Sequence, residues 1–140
     1  MTKTILIIDD EPDIRDYLMA VLEDHDYITY GVDEKESIFD AVTKLSPDLI
    51  ILDIMMPERS GLSLYRELRT TPETAGIPIA LLTGVTSDTV YLRTGISEFL
   101  EKESIPSPNR FIDKPINIPE LLSSIKSLLD EGRDPPDAAA

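Results

Sequence analysis

The feature that most constrains this chain is an alternation repeated along its length. Short continuous runs of β-branched and aliphatic residues, Ile5 to Ile8, Leu49 to Leu52 and Ile77 to Leu82, are separated by segments whose apolar residues recur at helical spacing. A run with no polar face is predicted as a strand buried on both sides, in a parallel sheet covered by helices. The intervening stripes are Ile14, Leu18, Val21 and Leu22, then Ile38, Ala41, Val42 and Leu45, then Leu64, Tyr65 and Leu68. Each set falls on one helical face. Tyr27 to Val32 and the short Phe111 to Asp113 supply two further strands, and Asn117, Pro119 and Glu120 open a last helix with Leu121, Leu122, Ile125, Leu128 and Leu129 inward. Pro12 suits a first helical turn, Asp33 and Glu36 are spaced as a capping pair, and Ser60 before Gly61 can cap another helix. Five strands and five helices in strict alternation imply a doubly wound α/β sandwich.

A chain of 140 residues with 41% hydrophobic content can bury one core without covalent staples. There is no cysteine and only one histidine, His25, so thiolate and histidine-cluster metal sites are excluded and any metal must sit on oxygen ligands. Thirteen basic against 27 acidic residues, a net charge of −14, oppose direct binding to a nucleic-acid backbone. The run Ile5 to Ile8 is too short for a signal-peptide core or a membrane span, which points to a cytoplasmic protein without membrane association. After Leu129 the chain carries no large apolar residue. Residues 1–129 are therefore expected to form the domain and 130–140 a disordered tail or linker.

In an open α/β sheet, ligands bind beyond the carboxyl ends of the strands. The residues found there are Asp9 and Asp10 after the first strand, Asp53 after the third, Thr83 after the fourth and Lys114 after the fifth. An Asp after a strand is by itself ordinary turn chemistry. Three carboxylates, a hydroxyl and an ammonium converging on one rim are not. Carboxylates about 4 Å apart repel by up to ~4 kcal/mol per pair at an effective dielectric near 20, so the cluster calls for a cation. Few protein ligands and room for water favour Mg²⁺ over a caged Ca²⁺. Such an ion would neutralise phosphoryl oxygens and leave one carboxylate free as a nucleophile.

Asp9-Asp10-Glu11-Pro12, Asp53-Ile54-Met55-Met56-Pro57 with Gly61 beyond, Leu82-Thr83-Gly84 and Lys114-Pro115 together resemble the signature of response-regulator receiver domains. The resemblance runs from about Thr2 to Leu129. It implies a five-stranded flavodoxin-like sheet of order 2-1-3-4-5 and a phosphorylation-activated switch of a two-component system. Asp53 would accept phosphate from a histidine kinase, a phosphotransfer protein or a small phosphodonor. Asp10, Asp53 and the backbone carbonyl of Met55 would hold Mg²⁺, with Asp9 acting through a coordinated water and no organic cofactor. Thr83 and Lys114 would bind the phosphoryl oxygens, and Thr83 and Phe111 would form the switch pair. Such a protein catalyses only its own phosphorylation and dephosphorylation, signals to a downstream output protein or domain, and can homodimerise on activation. Apolar Met55 and Val85 flank the place where hydrolytic water would approach, which implies a long-lived phosphoryl group.

The connection from Thr83 to Lys114 is longer than the family's by roughly one loop and contains Pro106 and Pro108. Lys102, closing Gly95-Ile-Ser-Glu-Phe-Leu-Glu-Lys102, imitates the final lysine, but Lys114 precedes Pro115 and the amphipathic helix and is the better match. The segment from Glu101 to Asn109 is expected to order or shift on activation. Two other functions compete. A phosphohydrolase of haloacid-dehalogenase type would carry Asp-x-Asp after the first strand, whereas Asp9 and Asp10 are adjacent. A phosphorylation-independent scaffold would have no need of all five rim residues.

Overall fold

The structure, a computed structural model, describes residues 2–32, 38–54, 61–83, 89–114 and 116–131. Five strands, β1 (Thr4–Ile8), β2 (Ile28–Val32), β3 (Leu49–Asp53), β4 (Ile79–Thr83) and β5 (Arg110–Asp113), form one parallel sheet of order β2-β1-β3-β4-β5. Helices α1 (Pro12–Glu23), α2 (Ile38–Leu45), α3 (Gly61–Thr70), α4 (Thr89–Lys102) and α5 (Ile118–Glu131) connect and follow them. This is the doubly wound α/β sandwich expected from the alternation, with the flavodoxin-like strand order that the resemblance implies.

Alternate residues of each inner strand face opposite layers. Leu6, Ile8, Ile50, Leu52 and Leu81 pack with Ile38, Leu64, Tyr65, Leu68, Ile96 and Leu100, the layer of α2, α3 and α4. Ile5, Ile7, Leu49, Ile51 and Leu82 pack with Leu18, Leu22, Leu121, Ile125 and Leu128, the layer of α1 and α5. A strand with apolar side chains on both faces can occupy only the middle of such a sandwich. β2 is an edge strand and is correspondingly mixed, with Ile28 and Tyr30 exposed.

Several details differ from expectation. The fourth strand begins at Ile79 rather than Ile77. Pro78 has no amide proton for the ladder, and the Ile77 amide instead bonds the Thr74 carbonyl at 3.2 Å. The last helix continues to Glu131, past Leu129; Asn117 Oδ1 caps its start by accepting the Glu120 amide at 3.0 Å. The connection in question after Thr83 contains a regular α4 of 14 residues. The capping residues Asp33, Glu36 and Ser60 lie outside the described residues.

The extra loop between α4 and β5 lies at the amino ends of the strands. Tyr65, fully buried on α3, donates its hydroxyl to the Pro106 carbonyl at 2.6 Å. Arg69, one turn further along, donates to the carbonyls of Ala75 and Ile77 and to Asn109 Oδ1, and its guanidinium lies 5.3 Å from the Tyr65 ring centroid. Asn109 completes the clamp by bonding Ile79 in both directions, its amide to the Ile79 carbonyl and its Oδ1 from the Ile79 amide.

Candidate functional site

Strand geometry places the acidic residues. Asp53 is the last residue of the fully buried β3, and Asp9 and Asp10 directly follow β1, the neighbouring strand. Parallel pairing in register brings these ends to one rim. The Asp9 backbone is held there by its amide, which bonds the Val32 carbonyl at 3.2 Å, and by Arg15, which donates to the Asp9 carbonyl at 2.9 Å. Asp9 Oδ1 in turn accepts the Glu11 amide at 2.9 Å, just before Pro12 opens α1.

The other side of the acceptor is set by a close approach. A Cβ on Gly61, at the start of α3, would come within 2.3 Å of the Asp53 carbonyl oxygen and 2.4 Å of Ile54 Cα. Any side chain there would push the acidic strand end away from α3, so glycine is required by proximity rather than by a turn.

Asp9, Asp10 and Asp53 each offer a carboxylate oxygen, and these atoms lie within 4.8 Å of one another. Asp9 and Asp53 are fully buried and Asp10 is half-buried. Lys114 Nζ reaches into the cluster, 3.4 Å from Asp53 Oδ2 and 3.5 Å from both Asp9 Oδ2 and Glu11 Oε1. Its side chain is 16% exposed, so it acts on the carboxylates from a largely desolvated position.

Burial is the largest influence on Asp9 and pushes its carboxyl up to about 6; the Glu11 amide opposes this, and the Asp53 charge adds to it. Burial alone would pull the Lys114 ammonium down, yet Asp53, Asp9 and Glu11 together outweigh it and leave the lysine above its ordinary value. Asp9 Oδ2 is buried and accepts no hydrogen bond among the described residues. Among the described residues, one ammonium, within 3.5 Å of Asp53, Asp9 and Glu11, stands against the cluster of three carboxylates, and an all-oxygen donor set with a buried oxygen lacking a hydrogen bond suits a hard divalent cation.

Thr83 ends β4, fully buried, one residue beyond the Leu82 that pairs with Asp53. Its carbonyl accepts the Lys114 amide at 2.8 Å, and its hydroxyl donates to Asp113 Oδ1 at 2.7 Å. Phe111, half-buried on β5 opposite Leu81, packs against the layer of α2, α3 and α4. Lys102 is exposed in the last turn of α4. Met55, Val85 and Pro115 lie outside the described residues.

The structure therefore brings Asp9, Asp10, Asp53 and Lys114 together, with Thr83 on the adjoining strand end. Two participants had no signal in the sequence reading. Arg15 looks like any polar residue of a helix face, and Asp113 like any acid beside a strand end. Only the Thr83 to Asp113 pairing of β4 with β5 identifies the latter as a partner of the hydroxyl.

Comparison with known proteins places the chain in a family. The sequence matches the model of the response regulator receiver domain over residues 5–126. It is 30% identical over 136 residues to the DNA-binding response regulator MtrA of Mycolicibacterium smegmatis, covering 97% of this chain and 54% of that protein. Against the phosphate regulon transcriptional regulatory protein PhoB of Escherichia coli it is 30% identical over 132 residues, 92% of this chain and 52% of the relative. The chain thus spans about half the length of these curated relatives.

Among solved structures, a response regulator from Chloroflexus aurantiacus superposes with a TM-score of 0.78 at 26% identity, over 93% of this chain and 99% of that one. The signal receiver domain of a histidine kinase from Syntrophus aciditrophicus gives 0.72 at 34% identity, over 93% and 92%. The family match runs from the first strand into the last helix and takes in every rim residue found here, and on that ground the chain belongs to the response regulator receiver domains of two-component signalling.

Proposed function

We propose that Asp53 is a phosphoacceptor and that its modification switches this domain between signalling states. The observation that carries the reading is a cluster of three strand-end carboxylates faced by a single largely buried ammonium. An Asp53 oxygen attacks the phosphorus of a phosphodonor, a new oxygen–phosphorus bond forms, and the bond to the donor's leaving group breaks with its electron pair. Asp10, Asp53 and the Met55 carbonyl would hold Mg²⁺, with Asp9 acting through a water. When bound, the ion supplies positive charge to the phosphoryl oxygens and draws the crowded carboxylates together. Lys114 adds a point charge to those oxygens, and Thr83 a hydroxyl donor.

Phe111, on the strand next to Thr83, is the second part of the switch, and the surface of α4, β5 and α5 carries the change outward. The donor is a histidine kinase or phosphotransfer protein, and an output protein or domain receives the signal, with homodimerisation of the active form as one route. The catalysis extends only to the domain's own phosphorylation and dephosphorylation. The receiver unit is assigned to residues 1–129 and the tail or linker to 130–140, with α5 running two residues past that boundary, to Glu131. Its charge of −14 opposes nucleic-acid binding by these 140 residues. No helix of the described residues is long and apolar enough to cross a membrane, and a cytoplasmic setting fits the proposed donor.

The test is intact-mass analysis after treatment with a small phosphodonor and Mg²⁺. The unsubstituted chain is expected to gain one phosphoryl group and Asp53→Asn none. Equal uptake by the two proteins would remove Asp53 from this role.

A further inference from the structure

Thr83 has one hydroxyl proton, and in this structure that proton is already engaged. The hydroxyl donates to Asp113 Oδ1 at 2.7 Å, a short bond to a charged acceptor, between residues paired in register at the ends of β4 and β5. A hydroxyl can donate once at a time. If Thr83 is to donate to a phosphoryl oxygen on Asp53, it must first let go of Asp113. The two acceptors therefore compete for one donor, and they stand on different strands: Asp53 closes β3 and Asp113 closes β5, with Thr83 between them on β4.

The surroundings favour an exchange over a permanent bond. Thr83 is fully buried, so its hydroxyl needs one acceptor or the other, whereas Asp113 is exposed and can be taken up by water when released. Asp113 also shares a small cleft of ≈ 40 Å³ with Phe111, Asn117, Glu120 and Leu121, so its release changes the β5–α5 surface directly.

We propose that Asp113 is a positioning residue that retains Thr83 in the resting arrangement and sets how strongly a phosphoryl group must compete to reach the active one. This rests on the phosphoacceptor reading of Asp53. Removing Asp113 relieves the competition and shifts the protein toward the active arrangement without touching the acidic cluster.

The experiment measures the affinity of the full chain for beryllofluoride, a phosphoryl mimic, in saturating Mg²⁺. Asp113→Val removes the acceptor and is expected to tighten binding about fivefold to tenfold, the upper figure corresponding to ~1.4 kcal/mol. Asp113→Asn keeps the shape and a neutral acceptor and is expected to fall between Asp113→Val and the unsubstituted protein, which guards against a folding defect in the valine variant. Both substitutions are repeated in Thr83→Val. There the gain should vanish, because no hydroxyl remains to be released.

The methyl resonance of Thr83 in the resting protein supplies a second readout, and it should move toward its beryllofluoride-bound position in Asp113→Val. Unchanged or weaker binding in both Asp113 variants would overturn the proposal alone. So would an equal gain with and without the Thr83 hydroxyl, which would mean that only charge at a distance is involved. Failure of the unsubstituted protein to bind beryllofluoride at all would instead overturn the phosphoacceptor reading, and this proposal with it.

Discussion

The two ends of the sheet treat polar groups in opposite ways. At the amino end, Tyr65, Arg69 and Asn109 lock the loop between α4 and β5 to α3 and β4, and each donor in the clamp meets an oxygen within 3.2 Å. At the carboxyl end, three carboxylates crowd together around one lysine, and a buried Asp9 oxygen accepts no hydrogen bond among the described residues. The first arrangement lowers the energy of the fold. The second raises it, and an arriving cation or proton would relieve the remaining repulsion. A fold can hold both because the buried strands between them keep the site's repulsion from opening the sheet.

This contrast also revises an expectation. The segment from Glu101 to Asn109 was expected to order or shift on activation. The Pro106 and Asn109 contacts instead tie it to α3 and β4, at the end of the sheet away from Asp53. Amide exchange from Ser104 to Asn109 is now expected to be equal with and without beryllofluoride, while residues of β5 and the start of α5 change.

The sharpest way to break the comparison is at the clamp. Arg69→Ala removes the donor from four acceptors, the Tyr65 hydroxyl, the Ala75 and Ile77 carbonyls and Asn109 Oδ1, and is expected to lower stability by about 3 kcal/mol while leaving beryllofluoride affinity within about twofold. Denaturant titration and the binding assay check it together; a matching loss of affinity would mean that the two ends are coupled.

Next in size is the effect of a cation at the rim. Mg²⁺ at one hundred times its Kd is expected to raise stability by ~2.7 kcal/mol, with Asp10→Asn losing more of that gain than Asp9→Asn. Thermal unfolding with and without Mg²⁺ compares them, and a larger loss in Asp9→Asn would exchange the roles assigned to the two residues.

A smaller effect follows pH. The Asp9 carboxyl is raised from 3.8 to about 6 in the folded protein, so it binds a proton more tightly there than in the unfolded chain. Its favourable contribution is therefore complete below about pH 4 and is lost as pH rises through about 6. In metal-free buffer, the stability of the unsubstituted protein relative to Asp9→Asn should fall as pH rises across that window. A difference that is flat or rises with pH would show that Asp9 is not strained. Mg²⁺ affinity should run the other way, weakening as pH falls through about 6 and protons compete for the same oxygen.

The smallest change isolates one bond of the clamp. Tyr65→Phe keeps the buried ring but leaves the Pro106 carbonyl and the Arg69 Nε without their partner, and should cost about 1 kcal/mol. A neutral result in denaturant titration would mean that water replaces the hydroxyl.

Much of this molecule was legible in the chain itself, because its cues are local. An unbroken apolar run such as Leu49 to Leu52, short and rich in β-branched residues between helical stripes, reads as an inner strand, and its end locates the residues of the rim. The strand ends alone thus put Asp9, Asp10, Asp53, Thr83 and Lys114 at one rim. Pro12 and Asn117 marked helix starts for equally local reasons. What the tertiary structure alone decided is which distant residues meet. The Thr83 hydroxyl finds Asp113 because β4 and β5 pair in one register, and Gly61 is needed because α3 begins against the Asp53 carbonyl. Tyr65 and Arg69 reach across to Pro106 and Asn109 only after α3 and the sheet have packed. Residue type and spacing determine the period and ends of each element; contacts between residues 30 to 41 positions apart depend on how those elements lie against one another.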